Sequence, residues 1–316
     1  MVLCDLCKAD KAIIKVRYAS LNLCRKCLFM FVERKVEAAL KSVGVLDKLS
    51  GKLVLVAVSG GKDSTNTAYI IHRLSKELDF DVRVLFINEG IGEYSRRREK
   101  AVRNFCKNMK IECDVVDMRQ EMGINIDEAA QILFKSGVSV KPCSVCGVFR
   151  RYIMNRRAIE VGADYVATGH NLDDEVQTFI MSLLRGDIRS IAREVYSIKR
   201  TIIEELVPRI KPLFLVYERE SAVYSLAHNF NVVRAACPYA PLSMRYIIRK
   251  MVNDLEYKRP GTKYRILALK ETIGRSIRDK VLKEEEIKKC SKCGMPSSRE
   301  ICRACELKEM LHNLAS

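Results

Sequence analysis

The stretch VAVSGGKDS, residues 56–64, constrains this chain more than any other. Val54, Leu55 and Val56 read as the end of a buried strand, Ser59 to Ser64 as a tight turn, and Thr65 to Leu78 as a helix. Gly60 and Gly61 carry no Cβ, so the backbone there can approach an anion closely. The turn opens a helix N-terminus, whose free N–H groups and dipole favour phosphate. Lys62 adds a mobile positive charge, and Ser59 and Ser64 add hydroxyl donors. The pattern GxxxxGK(S/T) is absent, so this is a phosphate loop of another kind.

With 316 residues the chain can bury a full core, and one large domain with appendages is expected. The longest wholly apolar run, Leu53 to Val58, is far too short to span a bilayer. No secretory signal precedes Cys4, which makes a cytoplasmic protein the expectation. The formal net charge of +17 points to a polyanion partner. The basic residues do not gather on one amphipathic helix, so a membrane-surface role is disfavoured.

Thirteen cysteines without a secretory signal argue for metal rather than disulfides. Cys4, Cys7, Cys24 and Cys27 form one CxxC…CxxC set, and Cys290, Cys293, Cys302 and Cys305 a second. Each reads as a closed, structural zinc ribbon of four thiolates. Cys106 and Cys113 sit in apolar-periodic surroundings and read as packing residues. Cys143 and Cys146 form a lone CxxC, and Cys237 stands alone before Pro238, after a short expected strand at Val232–Val233. The CxxC precedes an expected helix near Gly147, a position that favours thiolate. A cluster site, a third structural zinc and unliganded thiols all remain open on spacing alone.

The expected organisation is a ribbon over 1–27, a linker helix within 28–50, a nucleotide domain over 51–240, a helical basic region over 241–288 and a second ribbon over 289–316. Strands at 53–58, 82–88, 111–117 and 164–168 alternate with helices at 64–78, 95–109, 147–161 and 174–185. That alternation predicts an α/β fold on a parallel sheet. Ligands in such sheets bind at the carboxyl ends of strands, where strand order reverses. The SGGKDS turn, Ile87–Asn88–Glu89 and Gly169–His170 all fall at such ends, and the backbone at Ala57 and Ile87 is suited to adenine. In GHNLDDE, residues 169–175, Asp173 and Asp174 open a helix. Capping explains one aspartate well but the pair less well. Magnesium on ATP phosphates takes carboxylate ligands, for which Asp63 and Asp174 are the candidates.

SGGKDS resembles the PP-loop of ATP pyrophosphatases. Taken with NEGIGEY (88–94), PCSVCGVFRR (142–151), TGHNLDDE, CPY and KRPGTK (258–263) between two ribbons, the chain resembles the tRNA 2-thiouridine synthetases over almost its whole length. The resemblance implies that Cys143, Cys146 and Cys237 hold a [4Fe-4S] cluster whose unique iron can bind sulfide. It further implies nucleotide contacts at Ala57, Ser59, Asp63, Ile87, Arg150 and Gly169, with Gly60, Gly61, Lys62 and Ser64 completing the loop, and a catalytic role for Asp174. Many relatives carry lysine where this chain has Arg150, which keeps the charge and adds a bidentate grip. The implied reaction is adenylation of uridine O2 followed by replacement with sulfur. The donor would be a ubiquitin-like thiocarboxylate carrier or free sulfide, and the assembly a homodimer. CGVFRR and LLRGDIRS (183–190) look more like the branch acting on wobble uridine 34 than the one acting on T-loop uridine 54. Cytidine thiolation and lysidine synthesis are related alternatives.

Beyond the sheet, Glu218 to Phe230 reads as a helix with Ala222, Leu226 and Ala227 inward. Leu242 to Tyr257 reads as another, with Met244, Ile247, Ile248, Met251 and Leu255 as core. Arg245, Arg249, Lys250, Lys258, Arg259, Lys263 and Arg265 are candidates for tRNA phosphate contacts. Lys283 to Lys289 reads as a charged linker.

Overall fold

The structure is a computed structural model and describes residues 2–194, 206–282 and 288–315. Most of the expected charged linker, 283–287, lies outside the described residues. Five strands form the central sheet: β3 (Leu53–Ala57), β4 (Asp81–Asn88), β5 (Glu112–Asp117), β6 (Tyr165–Thr168) and β7 (Arg209–Ile210). All pair in parallel, in the order β5-β4-β3-β6-β7. The chain builds outward from β3 to β5, then returns to the other side of β3. Strand order therefore reverses between β3 and β6. The fifth strand, only two residues long, carries no periodic signal and escapes the sequence reading.

Successive side chains of these strands enter opposite cores, as the two-residue period of a strand requires. Val54, Val56, Val84 and Phe86 pack in one core with helices α1 (Arg25–Ser42), α2 (Lys62–Leu78) and α3 (Gly92–Met109). Leu55, Leu85 and Val166 pack in the other with α5 (Ile126–Ser136) and α6 (Pro142–Glu160), after a short α4 (Met118–Met122). The expected linker helix buries Val32, Val36, Ala39 and Leu40 on one face. Cys106 lies in the first core, and Cys113 packs against it.

The first ribbon is an antiparallel hairpin, β1 (Ile14–Val16) and β2 (Leu21–Leu23), with Ile14 opposite Leu23. It docks through Tyr18, which stacks on Tyr217 at 4.6 Å and donates to Glu220 Oε1 at 2.6 Å. The second ribbon, with β8 (Lys288–Lys289) and β9 (Pro296–Ser297), leads into α12 (Arg303–Ala315). That helix sends Ala304, Leu307 and Leu311 into the core shared with α6.

A third core joins α7 (Leu172–Leu184) to α10 (Met244–Lys258) and α11 (Thr262–Val281) through Leu172, Val176, Ile248, Val252 and Leu267. Here the sequence reading needs correction. Only Ile248 of the expected α10 core is buried; Met244, Ile247, Met251 and Leu255 are 44–71% exposed. The helix lies on the outside of the molecule and packs along one edge, so most of its apolar stripe faces solvent. In α9 (Glu218–Ala227) the buried positions are Glu220, Ser221, Tyr224 and Ser225, whereas Leu226 is exposed. No strand forms at Val232–Val233, where the segment instead bonds to a loop.

Charge is buried between α7 and α11. Glu175, 1% exposed, accepts from Lys211 Nζ at 2.7 Å and from Lys270 Nζ at 2.6 Å. Burial works against the carboxylate, but Lys211 and Lys270 outweigh it and hold the group below the usual range. Removing one partner of such a pair leaves an uncompensated buried charge. Glu175→Ala is therefore expected to lower unfolding free energy by about 3 kcal/mol in urea titration. A loss within experimental error would show that the buried lysine does not depend on it.

Candidate active site

The loop after β3 and the loop after β6 meet at the switch point because their strands pair directly, Ala57 beside Thr168. Gly169 lies so close to the phosphate loop that a Cβ there would sit 2.6 Å from Ser64 N and 2.7 Å from Ser64 Cα. Only glycine fits. The loop itself is braced from within: Ser59 N donates to Ser64 Oγ at 3.0 Å, and Ser64 Oγ donates to Gly61 O at 3.1 Å. Gly60, with φ of +76°, uses the left-handed region and rests against the backbone of Arg98. Helix α2 begins at Lys62, two residues earlier than its periodicity suggested, with Gly61 at its N-cap and its first amide groups beside the turn. Ala57 ends β3, and Ile87 is the last residue but one of its neighbour β4, so both lie at carboxyl ends as expected.

The charged groups around the loop are already paired. Lys62 Nζ lies 2.7 Å from Asp63 Oδ2 and 3.1 Å from Glu218 Oε1. Asp63 Oδ1 accepts from Ser221 Oγ at 2.6 Å. Asp174 makes the capping box of α7 with Asn171: its Oδ2 accepts from Asn171 N at 3.2 Å, while its own N–H donates to Asn171 Oδ1 at 3.1 Å. Its Oδ1 meets Arg245 Nη1 at 3.2 Å. Burial pushes the Asp174 carboxyl up to about 6, with Arg245 opposing and the Asp63 carboxylate adding to the rise. Asp63 and Asp174 thus share one electrostatic neighbourhood suited to a divalent cation. Asp173 faces elsewhere: it is buried on Lys263 and accepts from Glu218 N at 2.9 Å.

Two candidate phosphate-binding residues consequently change role. Lys263 is buried on Asp173, and Arg245 turns inward to Asp174, Gln177 and Thr178. Arg249 pairs with Glu218 Oε1 at 2.7 Å. Lys250, Lys258, Arg259 and Arg265 remain exposed. Ser221 and Glu218 are site residues that the sequence reading missed, and Arg245 was assigned another role. Ser221 and Glu218 reach the loop from α9, more than a hundred residues downstream, and Arg245 reaches Asp174 from α10; no local spacing marks these contacts.

Cys143 and Cys146 lie inside the first turns of α6, which starts at Pro142 rather than near Gly147. Cys143 Sγ donates to Tyr239 O at 3.3 Å. Burial pushes both thiols up, Cys146 to about 12, and Cys237 contributes to each shift. The helix N-terminus does not prevail over burial there. The segment bearing Cys237 crosses the phosphate loop, Val233 N donating to Gly60 O at 3.0 Å. Cys237 lies near enough to Cys143 and Cys146 to raise both thiols, and its segment touches the loop at Gly60. Among the described residues, ligand atoms within 4.8 Å of one another occur as groups only in the two ribbons, Cys4, Cys7, Cys24 and Cys27, and Cys290, Cys293, Cys302 and Cys305. Each of those groups can hold a metal ion. Cys143, Cys146 and Cys237 are spread wider than ligands of a single ion, which suits a cluster whose thiolates bind different irons. Arg150 projects from α6 towards the same place, its Nε 3.7 Å from buried Glu89 Oε1.

A glycine-braced phosphate loop at a parallel switch point, flanked by paired aspartates and three thiols, defines a PP-loop nucleotide-dependent enzyme. A family model described as "PP-loop domain" matches residues 30–256. The "tRNA-5-methyluridine(54) 2-sulfurtransferase" of Pyrococcus horikoshii is 35% identical, over 96% of this chain and 92% of that one. The "Cytoplasmic tRNA 2-thiolation protein 1" of Danio rerio is 30% identical, over 98% of this chain and 89% of the other. Among solved structures, the U34-tRNA thiolase NcsA from Methanococcus maripaludis with its [4Fe-4S] cluster matches with a TM-score of 0.79 and 31% identity, covering 98% of this chain and 97% of that one. The chain belongs to the PP-loop family of tRNA 2-thiolation proteins.

The Gly169 contact supplies a direct test. Gly169→Ala must displace the loop backbone, so ATP affinity is expected to fall by about tenfold or more while circular dichroism stays unchanged. Unaltered affinity by equilibrium dialysis would show that the two loops do not set each other's position.

Proposed function

We propose that this protein is an ATP-dependent tRNA sulfurtransferase that converts a uridine to 2-thiouridine, at wobble position 34. The observation that carries this reading is the crossing of the Cys237 segment over the phosphate loop, with Cys143 and Cys146 facing it from α6. A nucleotide-activating loop and a sulfur-handling group are thereby neighbours. The likeness to the U34-tRNA thiolase supports position 34. The Pyrococcus horikoshii relative, named for uridine 54, makes that position the competing outcome.

In this reading the backbone of Ala57, Ile87 and Gly169 holds adenine, and Ser59, Gly60, Gly61 and Ser64 hold the phosphates. Asp63 and Asp174, which pair with Lys62 and Arg245, would hold magnesium, which would supply positive charge to the ATP phosphates. Lys62 and Arg150 neutralise charge building on the α-phosphate. The uridine O2 attacks the α-phosphorus, the bond to the bridging oxygen breaks, and pyrophosphate leaves. Hydrosulfide then adds to C2, the C2–O bond breaks, one proton is released and AMP departs with the former uridine oxygen. Cys143, Cys146 and Cys237 would hold a [4Fe-4S] cluster, which when bound supplies an open iron for sulfide. A persulfide carried on Cys143 or Cys237 is the rival route.

Further parts of the proposal are two structural zinc ions in the ribbons, a cytoplasmic location, a homodimeric assembly, and a ubiquitin-like thiocarboxylate carrier or free sulfide as donor. The four close thiols in each ribbon support the zinc, and the name of the Danio rerio relative supports the location. The expected metal analysis is about two zinc ions per chain. Substitution Cys24→Ser is expected to remove one and lower the melting temperature, and an unchanged zinc content would contradict the ribbon assignment.

The function is tested by mass spectrometry of tRNA nucleosides from a strain lacking the protein. Loss of 2-thiouridine from the anticodon with the T-loop unaltered is expected. Loss from the T-loop alone would move the target to position 54, and persistence of every thiolated nucleoside would overturn the reading.

A further inference from the structure

A cavity of about 440 Å³ lies where the first ribbon meets α9 and α10. That volume is in the range of small-ligand sites, roughly 300–1,000 Å³. Lys62 of the phosphate loop lines it, so the cavity adjoins the active site, yet none of the thiols does. Its walls also carry Lys15, Arg17, Arg219, Arg249 and Tyr257.

The charge facing solvent there is positive, although acids also line the cavity. Asp173 is neutralised by Lys263. Glu220 accepts from Tyr18, Lys35 and Tyr217 N. Glu256 accepts from the backbone N–H groups of Gly261 and Lys263 and from the Tyr217 hydroxyl. Glu218 is shared between Lys62 and Arg249. Each of these acids is therefore paired with protein donors. Lys15, Arg17 and Arg219 are exposed and form no ion pair with a carboxylate among the described residues. Tyr257 is 72% exposed, and the Arg17 guanidinium lies 4.5 Å from its ring centroid, joining ribbon to helix.

We infer that this cavity is a second nucleotide site, taking one unpaired nucleotide of the tRNA with its base on the Arg17–Tyr257 platform and its phosphate among Lys15, Arg17 and Arg219. Unstacked RNA bases are held on aromatic rings and guanidinium planes, and phosphates by nearby cations. Ile14, Val16, Tyr18 and Tyr217 give the cavity an apolar lining against which a base can lie, and the exposed cations Lys15, Arg17 and Arg219 suit the phosphate that a nucleotide carries and a protein side chain does not. The site rests on the tRNA reading above and extends it. It makes the first ribbon part of the RNA-binding surface, and it gives Lys62 a wall shared by ATP and RNA.

The test compares full-length wild type, Tyr257→Ala, Tyr257→Phe and Arg17→Ala in filter binding to a substrate tRNA transcript at several salt concentrations. Loss of one stacking platform is expected to raise the Kd of Tyr257→Ala about tenfold, with Tyr257→Phe within about twofold of wild type. Arg17→Ala is expected to weaken binding and to flatten the salt dependence by about one phosphate contact. Zinc content and ATP affinity should not change. An unchanged tRNA Kd for Tyr257→Ala beside a wild type that binds would refute the site alone. A wild type that binds no tRNA would refute the function and the site together. Weaker inhibition by pyrophosphate in Arg17→Ala, with tRNA binding intact, would make the cavity a product site and overturn the RNA assignment.

Discussion

The catalytic end of the molecule depends on one close approach, that of Gly169 to the backbone of Ser64. Direct pairing of β3 with β6 creates it, and the absence of a side chain at Gly169 permits it. The phosphate loop is thereby backed by a second loop rather than left to its own hydrogen bonds. The same junction starts α7, whose first turn carries both Asp173 and Asp174. One aspartate turns into the protein to hold Lys263, and the other turns to the site. The helix-start reading of GHNLDDE holds for Asp174 itself, which closes the capping box with Asn171, while Asp173 is taken up by Lys263 and the Glu218 amide.

The second organising feature is that distant helices close the site. Ser221 holds Asp63, Glu218 holds Lys62, and Arg245 and Arg249 tie α10 to Asp174 and Glu218. These contacts balance the charges around the loop within the protein itself. Side chains on the two binding partners of the loop are therefore already oriented before a nucleotide arrives, which limits reorganisation during the reaction. The ribbons act in the same sense. The first fixes α1 and α9 through Tyr18 and Glu220; the second leads into α12, which packs in the core shared with α6, the helix that bears Cys143 and Cys146.

The sheet was legible in the sequence because its strands are short apolar runs at regular spacing, and the ribbons because four thiols in two CxxC pairs admit few other readings. The phosphate loop was legible from glycine, lysine and aspartate in order. The α10 core was not. Met244, Ile247, Met251 and Leu255 share a helical face, but periodicity reports which residues align and not whether another element covers them. The roles of Arg245 and Lys263 were equally hidden, since a buried ion pair depends on a partner far away in sequence. The start of α6 was misjudged because Pro142, which suits the first turn of a helix, outweighs the glycine at position 147.

The account stands on the phosphate loop presenting ATP's α-phosphorus to the uridine oxygen. Following that oxygen tests it most directly. A tRNA carrying a heavy oxygen isotope at C2 of the target uridine, incubated with ATP and sulfide donor, should yield AMP bearing the heavy isotope and 2-thiouridine bearing none. Heavy oxygen released to water or found in pyrophosphate, with AMP unlabelled, would contradict the account.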